Sequence, residues 1–126
     1  MEMRRATEYL ISIVDDDESM RDALVGLVRS LGYDARGFTS AEDFLACNDV
    51  ARFACAITDI HMPGMSGFEL KRQLDERHGG APVIMITARS EPGLKEKAMT
   101  SGAWCFLRKP FETETLVECL EKALRR

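Results

Sequence analysis

Four short stretches carry residue types that do chemistry together: the run Asp15, Asp16 and Asp17, then Asp59 ahead of His61-Met62-Pro63-Gly64, Thr87 at the end of an apolar run, and Lys109 ahead of Pro110. Taken singly, each has a plain reading as a helix cap, a turn former, a strand terminator or a solvated charge. Taken together they do not. Carboxylates gathered at one place repel one another, so a fold that gathers them calls for a divalent cation. An all-oxygen ligand set suits Mg²⁺, or Mn²⁺, better than zinc. Such a cation beside an ammonium and a hydroxyl makes a seat for a phosphoryl group, because Mg²⁺ leaves positions open for phosphate oxygens while Lys supplies a point charge and Thr a donor. The chain has no GxxxxGK[ST] run and no GxGxxG, so the phosphoryl is not expected on a nucleotide cradled by this chain. That points to transfer onto the protein itself, with a carboxylate as nucleophile and an aspartyl phosphate as product.

Regular elements must bring those stretches to one edge. Short apolar runs alternate five times with amphipathic stretches, which predicts strands from Tyr9 to Val14, Tyr33 to Phe38, Phe53 to Thr58, Pro82 to Thr87 and Trp104 to Leu107. The helical patterns run from Glu18 to Leu31, Ser40 to Cys47, Gly67 to Arg77, Pro92 to Ser101 and Glu112 to Leu124. In the first of these, Met20, Leu24, Leu27, Val28 and Leu31 share one face that must bury against a sheet. Thr39 with Glu42 and Ser66 with Glu69 are spaced as capping boxes, and Gly32 and Gly102 stand where helices end. The third and fourth strands are almost wholly apolar, as central parallel strands covered on both faces should be. The expected class is α/β: a doubly wound, five-stranded parallel sheet in three layers with right-handed crossovers. In such a sheet the ligand crevice lies at the carboxyl ends of the strands, which is where Asp15 to Asp17, Asp59, Thr87 and Lys109 fall.

The 126 residues suit one domain, read as residues 1–126, with 45% hydrophobic and 30% charged residues in keeping with a soluble globular chain. A formal net charge of −4 argues against direct nucleic-acid binding, which needs a basic excess. No apolar run approaches the ~18 residues that cross a bilayer, and Thr7 and Glu8 interrupt any signal peptide, so no membrane association and a cytoplasmic location are expected. Cys47, Cys55, Cys105 and Cys119 show no CxxC spacing and read as four reduced thiols filling apolar space.

The runs Val14-Asp15-Asp16-Asp17, Ile57-Thr58-Asp59-Ile60-His61-Met62-Pro63-Gly64-Met65-Ser66-Gly67, Thr87-Ala88 and Phe106-Leu107-Arg108-Lys109-Pro110-Phe111 resemble the receiver domain of two-component response regulators. The likeness covers about Tyr9 to Leu124 and is nearest to receivers of the nitrogen-fixation regulator group. It implies the flavodoxin-like (βα)5 receiver fold with strand order 2-1-3-4-5. It implies Asp59 as phosphoacceptor, Asp16, Asp59 and the backbone carbonyl of His61 as Mg²⁺ ligands, and Asp15 acting through a metal-bound water. Lys109 would pair with the phosphoryl, and the Lys109-Pro110 bond would be cis. Thr87 and Phe106 would move on phosphorylation and alter the face formed by the fourth helix, fifth strand and fifth helix.

The implied function is a phosphorelay switch, not an enzyme beyond its own phosphorylation and dephosphorylation, fed by a sensor histidine kinase or a histidine phosphotransfer protein, with a phosphorylation-dependent homodimer among its partners. A free-standing receiver and one cut from a DNA-binding regulator both fit. The alternative from another class is a Mg²⁺-dependent phosphatase-like enzyme on the same fold. Cys105 stands where the family often has an acidic residue, Trp104 is large for its place, and His61 and Arg89 are side chains at the mouth of the site that the motif does not fix. Alternation along the fifth strand puts Trp104, Phe106 and Arg108 on one side and Cys105, Leu107 and Lys109 on the other.

Overall fold

A computed structural model describes residues 9–125. Five parallel strands, β1 (Leu10–Val14), β2 (Asp34–Phe38), β3 (Phe53–Asp59), β4 (Val83–Thr87) and β5 (Cys105–Arg108), form one sheet in the order β2-β1-β3-β4-β5. Five helices connect and follow them: α1 (Glu18–Ser30), α2 (Ala41–Ala46), α3 (Gly67–Arg77), α4 (Leu94–Thr100) and α5 (Thr113–Arg125). A short 3₁₀ turn at Val50–Arg52 leads into β3. The expected class, order and element sequence are all present.

Central strands β1 (LISIV) and β4 (VIMIT) are buried from end to end and β3 is buried at every position but Ala54, while edge strand β2 (DARGF) exposes Asp34, Arg36 and Gly37. Charges on an edge strand oppose pairing with another sheet. Alternation divides the sheet's side chains between two layers. On one face Ile11, Ile13, Ile57, Ile84 and Ile86 meet the buried stripes of α1 and α5. On the other, Val14, Ala56, Val83 and Met85 meet α2, α3 and α4.

Helix ends largely follow the chemistry expected of them. Asp17 caps α1 through its carboxylate to the amide of Met20, and Ser66 caps α3 by accepting from the amide of Glu69. The second helix differs from expectation. Its cap is Ser40, which accepts from the amide of Asp43 at 3.0 Å. Thr39 lies one residue outside and donates to the Asp43 carboxylate, which frees Glu42 for another use. The fourth helix begins at Leu94, two residues later than expected, after Gly93 at φ 80°. The fifth strand likewise starts at Cys105, although the amide of Trp104 already donates to the carbonyl of Val83 at 2.8 Å.

The cysteine expectation fails for one pair. Cys105 of β5 and Cys119 of α5 form a disulfide, with Cα atoms 6.3 Å apart. Strand–helix packing, not sequence spacing, brings them together, since 14 positions separate them in the chain. Cys47 and Cys55 are outside any disulfide, as expected of them.

Candidate functional site

The carboxyl ends of β1 and β3 lie side by side at the middle of the sheet, paired through Val14 and Thr58. Each delivers an aspartate to the same edge. Asp15 is fully buried, Asp59 is 9% exposed and Asp16 is exposed. One carboxylate oxygen from each lies within 4.8 Å of the others. The Lys109 ammonium, just beyond β5, donates to Asp15 Oδ2 at 3.0 Å and to Asp59 Oδ2 at 3.4 Å. The Lys109-Pro110 bond is cis, as the resemblance implied.

Backbone groups fix the carboxylates. Asp15 Oδ1 accepts from the amide of Asp17 at 3.0 Å, and Asp59 Oδ1 accepts from the amide of His61 at 3.2 Å. Arg21 of α1 donates to the Asp15 carbonyl at 2.9 Å and ties the first helix to the loop. Gly67 brings the start of α3 against the end of β3. A Cβ there would stand 2.6 Å from the Asp59 carbonyl oxygen, a separation no side chain tolerates without a backbone shift.

Burial pushes the Asp59 carboxyl above the usual carboxylate range; Lys109 pulls it back, and the like charge of Asp15 raises it further. Burial also works against the Lys109 ammonium, but the hydrogen bond to Asp15 and the attraction of Asp59 outweigh it, so Lys109 titrates above its ordinary value. With three carboxylates facing one ammonium, the cluster has two negative charges left to balance when all are ionised. Asp16 makes no hydrogen bond among the described residues. That donor set, oxygen-only and short of positive charge, fits Mg²⁺ or Mn²⁺.

Thr87 is buried at the end of β4, and its carbonyl accepts from the Lys109 amide at 2.7 Å. Its Oγ1 accepts from the amide of Arg89 at 3.0 Å and lies 3.3 Å from Nδ1 of His61. The other His61 nitrogen, Nε2, is 3.8 Å from Glu91, which also holds Arg89. Phe106 is half-buried against the α2–α4 layer, with the Arg108 guanidinium 5.6 Å from its ring centre. So the structure gathers the side chains of Asp15, Asp16, Asp59 and Lys109, ties Thr87 to them through His61 and the Lys109 amide, and packs Phe106 against the α2–α4 layer. A cleft of about 720 Å³ opens beside the cluster, walled by Asp16, His61, Met62, Phe68, Arg89 and Lys97 among others.

Two supporting residues escaped the sequence reading. Arg21 carried no pattern that marked it. Glu42 was assigned to a cap, yet its carboxylate crosses to the β3–α3 loop and accepts from the amide of Met65 at 3.1 Å. The bare face of Gly64, at φ 77°, admits that carboxylate, since a Cβ there would lie 2.4 Å from Glu42 Oε2.

Comparison with known proteins gives a consistent picture. Residues 11–121 match the response regulator receiver domain. The chain is 35% identical over 119 residues to the transcriptional regulatory protein FixJ of Bradyrhizobium diazoefficiens, covering 94% of this chain and 58% of that protein. It is 41% identical over 120 residues to the response regulator protein TmoT of Ectopseudomonas mendocina, covering 94% and 54%. The chain thus spans a little over half the length of these relatives. Among solved structures, FixJ-N aligns with a TM-score of 0.84 at 37% identity over 94% of each chain. The Vibrio cholerae chemotaxis protein CheY4 aligns with a TM-score of 0.80 at 30% identity, covering 92% of this chain and 98% of that one.

Proposed function

We propose, from the premise that this chain belongs to the response regulator receiver domain family, that Asp59 accepts a phosphoryl group from a phosphohistidine and thereby switches the face built from α4, β5 and α5. The observation that carries this reading is the position of Asp59: nearly buried at the end of β3, with its carboxylate beside those of Asp15 and Asp16 and 3.4 Å from the Lys109 ammonium. An Asp59 oxygen attacks phosphorus, the bond from phosphorus to the donor imidazole nitrogen breaks, and the imidazole leaves as the neutral ring after taking a proton. Lys109 stabilises the negative charge that the phosphoryl oxygens bring. Asp16, Asp59 and the His61 carbonyl would hold Mg²⁺, with Asp15 acting through a water, and the ion would supply charge neutralisation for the incoming phosphoryl.

After transfer the acyl phosphate is the new acceptor at the strand ends. Thr87 turns to donate to it, leaving the Arg89 amide and His61, and Phe106 moves inward behind it. This is a local charge event biasing a two-state element. The donor is a sensor histidine kinase or a histidine phosphotransfer protein, and residues 1–126 act as one receiver domain in the cytoplasm. The activated face pairs with a second copy or an output partner, and the domain itself neither binds nucleic acid nor turns over a separate substrate. The matches to known proteins lend no support to the phosphatase-like alternative.

Intact mass after incubation with acetyl phosphate and Mg²⁺ tests the assignment. The wild type should gain one phosphate and Asp59→Asn none. Equal modification of both proteins refutes Asp59 as acceptor.

A further inference from the structure

The disulfide sits where the proposed switch would move. Cys105 is the first residue of β5 and is half-buried, and Phe106 follows it directly. Cys119 is 7% exposed and belongs to the buried stripe of α5 with Leu116, Leu120 and Ala123. Across the ladder Cys105 lies beside Ile84 of β4. The 14-position loop that the bond closes contains Phe106, Lys109 and the cis Pro110. Strand and helix would pack through these side chains with or without the bond, so the thiol form keeps the same two sulfurs opposed. Cys55 is buried in β3, and Cys47 ends α2 against the opposite layer.

We propose that Cys105 and Cys119 are a reversible thiol–disulfide site whose redox partner is a low-molecular-weight disulfide, and that the bonded form restrains β5 against α5. The second half rests on the function proposed above: a restrained β5 answers phosphorylation at Asp59 less than a free one. The exchange is a two-step, two-electron reaction. The thiolate of Cys105, the more exposed partner, attacks a sulfur of the small disulfide and releases one thiolate, leaving a mixed disulfide on Cys105. The thiolate of Cys119 then attacks the Cys105 sulfur and releases the second. Two protein thiols are oxidised, one small disulfide is reduced to two thiols, and the two protons lost by the protein end on those thiols.

Trp104, the only tryptophan, stands next to Cys105 and is 38% exposed, so its fluorescence reports on this strand. The test equilibrates the wild-type protein in a series of reduced and oxidised glutathione mixtures, alkylates the remaining thiols and reads each cysteine by peptide mass. A range of mixtures in which Cys105 and Cys119 are bonded to each other while Cys47 alkylates supports the site. Alkylation of Cys105 alongside Cys47 in every mixture, or glutathione left on Cys105, overturns it. The fully reduced and fully oxidised proteins then receive beryllofluoride and Mg²⁺. The reduced protein should change its Trp104 fluorescence and the oxidised one should lose most of that change, whereas Cys105→Ser with Cys119→Ser should respond alike in both buffers. Equal responses of the two wild-type forms overturn the restraint. No response in the reduced form contradicts the Asp59 reading and the restraint that rests on it, while the alkylation result still decides the thiol site.

Discussion

The two faces of the sheet are built from different materials. Toward α1 and α5 the strands present Ile11, Ile13, Ile57, Ile84 and Ile86, all fully buried. β-Branched side chains have few rotamers, and the carboxylate that alternation assigns to this face, Asp59, stands at the very end of β3. Toward α2, α3 and α4 the strands present Val14, Ala56 and Met85, with the buried hydroxyls of Ser12 and Thr58 among them by alternation. Among the described residues the Ser12 hydroxyl has no hydrogen-bond partner. The fourth helix has seven residues and buries only Leu94 and Ala98. Methionine and alanine tolerate rearrangement better than interlocked isoleucines do. Thr87 and Phe106, the residues proposed to move, both point to this softer layer. On the function proposed above, the stiff layer would serve as the platform against which the other shifts.

The largest test of that contrast is in the cores. Ile57→Ala should cost about 4 kcal/mol, because a fully buried isoleucine among isoleucines leaves a cavity that cannot collapse. Met85→Leu, on the same sheet but facing α3 and α4, should cost under about 1.5 kcal/mol. Urea melts of both variants decide; equal losses would remove the distinction between the layers.

Asp59→Asn should stabilise the metal-free protein near neutral pH. Burial raises the Asp59 carboxyl in the folded state, so the native protein holds its proton to higher pH than the unfolded chain. Wild-type stability therefore falls as pH rises through the folded value, and this penalty is absent below the unfolded carboxylate value. The advantage of the variant should shrink as the pH is lowered, and an advantage constant with pH would contradict the burial argument. Ser12→Ala should be neutral or stabilising by up to about 1 kcal/mol, since it removes a buried hydroxyl with no partner among the described residues. A thermal melt showing a loss above that size would mean the hydroxyl is satisfied. Smallest of all, Trp104→Ala should change stability by less than about 1 kcal/mol, given its exposure. Its effect belongs in sedimentation of the phosphorylated protein, where self-association should weaken.

The fold was legible because its strands are continuous apolar runs and its helices carry single apolar faces, signals that survive without tertiary information. The cluster was legible for a related reason: a parallel sheet sends all its strand ends to one edge, so Asp15, Asp59 and Lys109 could be placed together from element order alone. What stayed hidden depends on where side chains meet across the fold. Glu42 sits three positions after Thr39 and reads as a cap, yet the helix starts one residue later and its carboxylate spans to Met65. Cys105 and Cys119 are joined only because α5 lays its stripe on β5. Arg21 reaches the Asp15 carbonyl from the second turn of α1, a contact that no periodicity encodes.

The central claim is that a charge change at Asp59 is felt by one face of the sheet more than the other. An amide-resolved NMR comparison of the Mg²⁺-bound protein with and without beryllofluoride measures it directly. The account predicts large shifts at Thr87, Arg89, Phe106 and along α4, with Ile11, Leu24, Val28 and Leu120 nearly unchanged. Shifts confined to Asp15, Asp16 and the His61 loop, or spread evenly over both layers, would contradict it.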